Sequence, residues 1–461
     1  MLPNCNRSLA HVAANLQAEP EQSLVFERFL PAAEINQVCR DLGYSFRDRI
    51  YNPVVTLWMF LGQTLSSDHS CCDAVVRLNA WRVQHSKAKV DTNTTAYCEA
   101  RQRLPESVVA ELSRRSGRKC QETAGGNWRW KGRVVKLADG TTMTMPDTIE
   151  NQEEYPQQRG QKKGCGFPIV RCVMLFCLAT GAALEIAMAP YRGKKTGENS
   201  LLQKIIHSVF PGEILVADRY YATFANIHRA YRKGYDVVMQ VHHKRNVDFR
   251  KGYKQGSCDQ IVVYHKPARR SVWMSGESFD DFDKIVLVRH LRYSVKRKGF
   301  RNRHIILATT LLDASVYSIE DLAGLYAQRW QVELDIRSLK THMQMEHLRC
   351  KSPAMVRKEI YTHMISYNLI RDLVVRTALR HDTSPKNLNH TAAIQSLNAF
   401  SEKLQASSNR IEPLEKALLE SISEHPVGDR KPRVHPREIK RRPKPYPTMK
   451  RPRHAARSSS A

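Results

Sequence analysis

The sequence predicts an α/β protein, in which a mixed β-sheet carries helices on its faces and follows an all-α N-terminal region. The helical region is indicated by apolar residues that recur three and four positions apart, from residue 24 to about residue 121. Gly125 and Gly126 then interrupt this pattern. Beyond them, short β-type runs are followed by helix-like stretches in turn, which is typical of a mixed sheet with flanking helices.

The elements of the sheet can be placed one by one from their apolar patterns. The runs that we expect to form strands are residues 133–145, 169–178, 183–189, 214–217, 236–241 and 305–310. The helices expected between them are residues 200–209 and 224–233. From residue 242 to about 303 the composition shifts to aromatic, β-branched and basic residues among turns, which predicts a basic β-rich insertion.

These patterns divide the chain into four predicted parts. Residues 1–125 are predicted to form a helical domain, and residues 126–350 a mixed-sheet core that contains the insertion at 242–303. Residues 351–428 form a C-terminal helical region. Residues 429–461 carry twelve Lys or Arg against two acids, with many prolines, so we expect a disordered basic tail.

The charge of the chain indicates a polyanionic partner. The formal net charge is +28, and removing the basic tail still leaves +18 on the rest. Nucleic acid is the first partner that such a surface indicates. The longest apolar runs contain polar or charged residues, so we expect no membrane span, and the N-terminus lacks a secretory signal pattern. Eleven cysteines without a Cys-x-x-Cys pair predict reduced thiols in a cytoplasmic protein.

A long helix is predicted from Ser318 to about residue 345, with four polar residues along one side. Ser318 and Asp321 resemble a capping box, which satisfies backbone donors at a helix N-terminus. At about 100° per residue, the four polar residues fall in a stripe about 60° wide at the edge of the apolar face. They are Tyr326, Arg329, Glu333 and Lys340. An acid flanked by two cations and a phenol suits a site for metal and phosphate, although a salt-bridged surface helix is the alternative.

Two aspartates follow predicted strands and are candidates for the same site. Asp139 comes after the run 134–138, and Asp218 after the run 214–217, so both would lie at strand ends. Each has a simpler interpretation. Asp139 with Gly140 is also a typical hairpin turn, and Asp218 could cap a helix that begins near Tyr221.

Asp139, Asp218 and Glu333 together would suit a pair of Mg²⁺ ions. Mg²⁺ prefers carboxylate, water and phosphate oxygens as ligands. Two such ions activate an attacking oxygen and stabilise the leaving oxygen of an in-line displacement at phosphorus. The sequence therefore predicts a metal-dependent enzyme that acts on phosphodiesters.

The spacing of the four polar residues resembles a known signature. Tyr326, two residues, Arg329, three residues, Glu333, six residues and Lys340 match the Tyr-Arg-Glu-Lys signature of the DDE transposases of bacterial insertion sequences, in the insertion sequence four family. The segment 137–142, Leu-Ala-Asp-Gly-Thr-Thr, and the segment 216–221, Val-Ala-Asp-Arg-Tyr-Tyr, are similar to the contexts of the first and second acids in that family.

The resemblance implies an RNase H-like core with a β-rich insertion between Asp218 and Glu333. It implies Mg²⁺, or Mn²⁺ in its place, held by the three acids, while Tyr326, Arg329 and Lys340 contact phosphates. It also implies cleavage at the terminal inverted repeats of an element and joining of the 3′ ends to target DNA. Some relatives stack a flipped base on an aromatic in the insertion, and Trp273 is the candidate here, with a core position as the alternative.

The partners and location follow from the same resemblance. Because two ends are cut together, we expect a homodimer on double-stranded DNA, in the bacterial cytoplasm with the nucleoid. Residues 93–104 predict a helix that could read a major groove, or an ordinary bundle helix with Arg101 and Arg103 in solvent. Two other functions stay open: an inactive transposase-derived DNA-binding protein, and a structure-specific nuclease that cuts but never joins.

Overall fold

The computed structural model describes residues 29–47, 49–160, 162–271, 274, 279–295, 303–406, 411–428 and 452. Trp273 lies outside the described residues, as does the predicted basic tail apart from Pro452. The described residues fall into two compact units. One takes its residues from Met1–Ser116 and Ile365–Val427, and the other from Gly117–Met364 and Gly428–Ala461.

Helices lie in both units and are numbered here in chain order. They are α1 (Ala32–Asp41), α2 (Pro53–Leu65), α3 (Cys71–Gln84), α4 (Thr95–Arg103), α5 (Glu106–Glu122), α6 (Ile149–Glu154), α7 (Glu198–Ile205), α8 (Phe224–Lys233), α9 (Ile319–Ala327), α10 (Trp330–Arg337), α11 (Pro353–Arg380), α12 (His390–Ala406) and α13 (Ile411–Ser423). Asn52 and Ser70 cap α2 and α3 by accepting hydrogen bonds from backbone N–H groups in the first turns. Within the described chain, no helix combines the length and apolar character needed to cross a bilayer.

The predicted DNA-reading segment corresponds to α4, and its two arginines differ in environment. Arg101 is buried, and its guanidinium lies 3.3 Å from Oε1 of Gln63 and 3.1 Å from Sγ of Cys71. Arg103 is exposed and pairs with Glu99 one turn earlier. The expectation that both arginines lie in solvent is therefore wrong for Arg101, because α2 and α3 cover it. None of the ten cysteines that the structure describes forms a disulfide.

The second unit is built on one mixed sheet, as predicted. Its strands are β1 (Val135–Thr144), β2 (Ile169–Cys177), β3 (Ala183–Pro190), β4 (Ile214–Ala217), β5 (Asp236–Gln240), β6 (Tyr253–Gly256), β7 (Asp259–His265), β8 (Ile285–Val295) and β9 (Arg303–Thr309). The spatial order is β3-β2-β1-β4-β5-β9-β8-β7-β6. The pairs β1–β4 and β4–β5 are parallel and the other pairs are antiparallel.

Helices cover this sheet and bury its central strands. All four residues of β4 are buried, as is nearly all of β2, which explains their continuous apolar sequences. Helix α7 packs against β2 and β3, and α10 packs against β1. The buried ammonium of Lys136 on β1 lies 2.7 Å from Oε2 of Glu213 just before β4. Buried charges persist in such places only when they are paired.

The predicted β-rich segment supplies β6, β7 and β8, which extend the same sheet by way of β9. Its interior contains an ion pair. Nε and Nη2 of Arg289 lie 2.8 Å and 2.5 Å from the two carboxylate oxygens of Asp259, and both side chains are buried. Nη1 of Arg289 also donates to the carbonyl oxygen of Tyr317 at 2.7 Å. The pair thereby joins the added strands to the segment that leads into α9.

Two local predictions about the site segments are wrong. Asp139 neither ends a strand nor turns a hairpin, since β1 continues through it to Thr144 in unbroken register with β2. The helix predicted from Ser318 to about residue 345 is also interrupted, although its capping box at Ser318 and Asp321 is confirmed. Backbone N–H groups of Gln328 and Arg329 bond three residues back, which tightens the chain between α9 and α10. A π-helical turn, Ser338–His342, then follows α10.

Candidate active site

Asp139 and Asp218 are brought together by the parallel pairing of β1 and β4. The last paired residues of these two strands are Ala138 and Ala217. The next residue on each strand is an aspartate. Because the strands are parallel and neighbouring, both carboxylates lie at the same edge of the β1–β4 pair, as the sequence predicts. Asp139 reaches this position inside a longer strand, because the antiparallel partner β2 continues where β4 has ended.

Asp139 is a largely buried carboxylate with few local donors. Its Oδ1 accepts a hydrogen bond from the backbone N–H of Gly140 at 2.8 Å. Burial raises the pKa of Asp139 to about 6, against the opposing effects of that hydrogen bond and of the Arg329 charge. The nearby carboxylates of Asp218 and Glu333 contribute to this rise in the pKa. A carboxylate with a raised pKa is stabilised in its charged form when a cation approaches it.

Asp218 caps the turn that follows it. Its Oδ1 accepts a hydrogen bond from the backbone N–H of Tyr220 at 2.8 Å, at the start of the 3-10 turn Arg219–Tyr221. The capping predicted as an alternative is therefore present, but Asp218 caps this turn, and Thr223 caps the helix α8 that follows. One oxygen of the carboxylate makes this bond, and the side chain is half-buried, so capping leaves the other oxygen for a further ligand.

Glu333 is held toward Asp139 by Arg329. Nη2 of Arg329 donates to Oε1 of Glu333 at 2.6 Å, and Nη1 of the same guanidinium lies 3.8 Å from Oδ2 of Asp139. One cation thus lies between two of the three predicted acids. The Arg329 side chain is 18% exposed, so this interaction is only weakly screened by solvent.

The three acids lie in one region but not at metal-binding distance from one another. Among the described residues, no group of three or more His, Cys, Asp or Glu side chains is close enough to hold a metal ion as it stands. The guanidinium of Arg329 occupies the space between Asp139 and Glu333. The donor set nevertheless fits a hard divalent cation, because it consists of carboxylate oxygens and includes the largely buried Asp139.

Tyr326 lies beside Arg329 and Asp218, whereas Lys340 follows α10 and makes its nearest ion pair elsewhere. Tyr326 is buried, and burial raises the pKa of its phenol to about 12, with the charges of Arg329 and Asp218 acting on it in opposite directions. Lys340 lies in the π-helical turn, and its Nζ is 3.8 Å from Oε1 of Glu346. Because the helix is interrupted, these residues are arranged around two short helices instead of along one continuous stripe.

Sequence reasoning missed two residues near the acids, Glu198 and Tyr221, and one exposed aromatic next to Arg329 in the chain. Glu198, at the first position of α7, lies beside the backbone of Gly140, and Tyr221 donates to Glu198 from the turn after Asp218. Trp330, which follows Arg329, exposes 58% of its surface. The predicted helix 200–209 begins two residues late, which left Glu198 in a loop. An acidic residue in the first turn of a helix is favourable, and this was the available signal.

Comparison with known proteins identifies the class of protein that this fold and site define. Residues 130–369, slightly more than half of the chain, match the family model described as "Transposase DDE domain". The chain belongs to the DDE transposases, and its resemblance to the insertion sequence four family is confirmed. It is accordingly an enzyme of DNA transposition, as the sequence predicts.

Particular relatives cover different shares of the chain. The transposase InsG of insertion sequence element IS4 from Escherichia coli (strain K12) is 26% identical over 360 residues, which are 77% of this chain and 78% of that protein. A putative transposase InsL of insertion sequence element IS186A from the same strain is 34% identical over 71 residues, 15% of this chain and 19% of that protein. The cryo-EM structure of a piggyBac transposase synaptic complex with hairpin DNA aligns over 93% of this chain and 88% of that chain, with a TM-score of 0.43 and 11% sequence identity.

Proposed function

We propose that the chain cleaves DNA at the terminal inverted repeats of a mobile element and joins the freed 3′ ends to target DNA, at one site that contains Asp139, Asp218 and Glu333. One observation carries this proposal: the guanidinium of Arg329 lies between Asp139 and Glu333, where the pairing of β1 with β4 stops. The core around them is proposed to be RNase H-like.

Asp139, Asp218 and Glu333 would hold the divalent ions, Mg²⁺ or Mn²⁺ in its place. When bound, such ions activate the attacking oxygen and stabilise the leaving oxygen of an in-line displacement at phosphorus. The burial that raises the pKa of Asp139 supports this assignment, because a cation beside the carboxylate offsets the cost of its charge. The carboxylate oxygen of Asp218 that does not cap the turn would bind the metal ion.

Arg329 is proposed to change partners when DNA enters. A phosphate offers the same two-oxygen geometry that a carboxylate offers to a guanidinium. If the Arg329 guanidinium bound a DNA phosphate instead, the carboxylates of Glu333 and Asp139 would be free to bind the ions. Lys340 would contact a second phosphate as a compact charge, and the buried phenol of Tyr326 would pack beside Arg329 and fix its direction.

The partners are proposed to be the inverted repeats, the target DNA and a second copy of the chain. The net charge of +28 supports binding to DNA backbones. A two-fold dimer would allow two element ends to be cut together. The enzyme would act in the bacterial cytoplasm, on DNA of the nucleoid.

Incubation of the purified chain with end-labelled element DNA and Mg²⁺ tests this function. We expect cleavage at the element end and a joined product with target DNA, and we expect Glu333→Ala to abolish both while DNA binding persists. Binding without cleavage by the unmutated chain would indicate a DNA-binding protein derived from a transposase. Cleavage without any joined product would indicate a nuclease.

A further inference from the structure

Glu198 contacts Gly140, which follows Asp139, and the side chain of Tyr221, which ends the turn after Asp218, although it belongs to neither strand. A Cβ atom built on Gly140 would lie 2.5 Å from Cδ and 2.6 Å from Oε1 of Glu198, so the carboxylate packs directly on Gly140. The phenol of Tyr221, which ends the turn after Asp218, donates to Oε2 of the same carboxylate at 3.5 Å. One side chain therefore reaches the residue after Asp139 and the turn after Asp218.

Glu198 approaches β1 from the face of the sheet opposite to the side chain of Asp139. Successive residues of a strand point to opposite faces, so the position of a Gly140 side chain lies opposite that of Asp139. Glu198 thus supports β1 from behind Asp139, on the side where α7 packs against β2 and β3. It acts through backbone and through Tyr221 and does not take part as a fourth member of the predicted acid set.

The start of α7 also holds the turn after Asp218 by its backbone. Nδ2 of Asn199 donates to the carbonyl oxygen of Tyr220 at 3.1 Å, and Nδ2 of Asn226 donates to that of Tyr221 at 2.7 Å. The two amides also bond to each other at 2.8 Å. Asn199, Asn226 and Tyr221 are all buried, so this turn is held by satisfied polar contacts in a water-poor environment.

We infer that Glu198 is a positioning residue, which sets the separation between Asp139 and Asp218 by bridging Gly140 and Tyr221. A Cβ atom at position 140 would displace the Glu198 carboxylate from this contact, and glycine leaves room for it. Burial raises the pKa of Glu198, and the neighbouring charge of Asp218 acts in the same direction. Residues that orient metal ligands in this way commonly change metal affinity by 10- to 100-fold, an order-of-magnitude range.

Direct binding of Mn²⁺ to the full chain on element-end DNA tests this inference, which rests on the proposed function. The free-ion electron paramagnetic resonance signal gives the Mn²⁺ affinity, and fluorescence anisotropy gives the affinity for an element end. We expect Glu198→Ala to weaken Mn²⁺ binding by about tenfold and to leave DNA binding within about twofold. Glu198→Gln keeps an oxygen that can accept from Tyr221, so its loss should be smaller. The exposed Glu153→Gln on α6 is the matched control and should match the unmutated chain.

A second pair of variants separates positioning from general damage to the fold. Gly140→Ala should weaken Mn²⁺ binding as Glu198→Ala does, and the double variant should be no worse than either single one, because both remove the same contact. Should Glu198→Ala fail to fold, Gly140→Ala carries the test, and unchanged Mn²⁺ affinity in that variant overturns the inference. Additive losses in the double variant, or equal losses of Mn²⁺ and DNA binding, also overturn it. Asp139→Asn, measured in parallel, distinguishes failure of this inference from failure of the proposed function. If Asp139→Asn retains both Mn²⁺ binding and DNA cleavage, the proposed function itself is wrong.

Discussion

Arg329 and Glu333, one helical turn apart on the chain, form a 2.6 Å hydrogen bond that crosses the start of α10. Their spacing alone would allow an ordinary surface pair, which contributes little to stability. The same guanidinium also lies 3.8 Å from Asp139 on β1, which makes the pair a link between α10 and the sheet. A permanently charged group therefore holds two acids in place until other positive charge arrives.

Loss of this guanidinium should affect cleavage more than DNA binding. We expect Arg329→Ala to lower the rate of end cleavage by about 10²- to 10³-fold, because a charge directed at the reacting phosphate is lost. Arg329→Lys should recover little, since an ammonium cannot bridge two oxygens as a guanidinium does. Single-turnover cleavage at saturating DNA measures the effect, with the exposed Arg337→Ala on α10 as control. Equal loss in both variants would show that general charge is responsible.

The raised pKa of Asp139 predicts how stability depends on pH without divalent cations. Between pH 3.8 and about 6 the folded chain binds this proton more tightly than the unfolded chain, so the free energy of unfolding falls as pH rises through that window. Asp139→Asn should therefore stabilise the chain at pH 7 by about 1 to 3 kcal/mol. The gain should disappear below about pH 4.

Urea unfolding at pH 4 and pH 7 measures this difference, with the exposed Asp280→Asn as control. Saturating Mg²⁺ should reduce or reverse the gain, because the ion would stabilise the unmutated carboxylate. A gain of the same size at both pH values would show that the charge of Asp139 is not its cause.

Lys340 should contribute one phosphate contact to DNA binding. The slope of log K against log[salt] should become less negative by about 0.9 in Lys340→Ala, because one fewer counterion is released. The exposed Lys233→Ala on α8 serves as control and should leave the slope unchanged. A normal slope in Lys340→Ala, with cleavage intact, would remove Lys340 from the phosphate-binding set.

Among the ion pairs of β6, β7 and β8, the buried pair of Arg289 and Asp259 should contribute most to the unfolding free energy when one partner is removed. Asp259→Ala should cost about 3 to 5 kcal/mol of unfolding free energy, because it leaves a buried guanidinium without its carboxylate. Asp259→Ala combined with Arg289→Met should recover part of this loss, since no charge then stays buried. Chemical denaturation measures both, and a double variant that is less stable than the single one would contradict the account.

The sequence predicts the helices and strands of the second unit better than the geometry around Asp139, Asp218 and Glu333. The apolar runs locate β2, β4 and α8 nearly to the residue, and Ser318 with Asp321 marks the start of α9, because these signals are local. Asp139 was assigned to a strand end because Asp-Gly is a strong turn signal. The long antiparallel pairing with β2 overrides that preference, and pairing between distant segments is not visible in local sequence.

The other differences have the same origin. The break between α9 and α10 comes from backbone hydrogen bonds that Gln328 and Arg329 donate to carbonyl groups three residues back. No glycine or proline in this segment predicts the break. Glu198 was missed because its importance depends on contact with Gly140 and Tyr221, which lie 58 and 23 residues away in sequence. An acid at a helix start is ordinary until the sheet behind it is known.

Iron-mediated cleavage of the polypeptide tests the central claim most directly, since Fe²⁺ in a Mg²⁺ site, supplied with H₂O₂ and ascorbate, generates hydroxyl radicals that cut the nearby backbone. With the full chain on element-end DNA, we expect cuts near Asp139, Asp218 and Glu333 together, all suppressed by excess Mg²⁺ and all lost in Asp139→Asn. Cuts near one of these residues alone, or cuts that persist in Asp139→Asn, would contradict a shared metal site formed by the three acids.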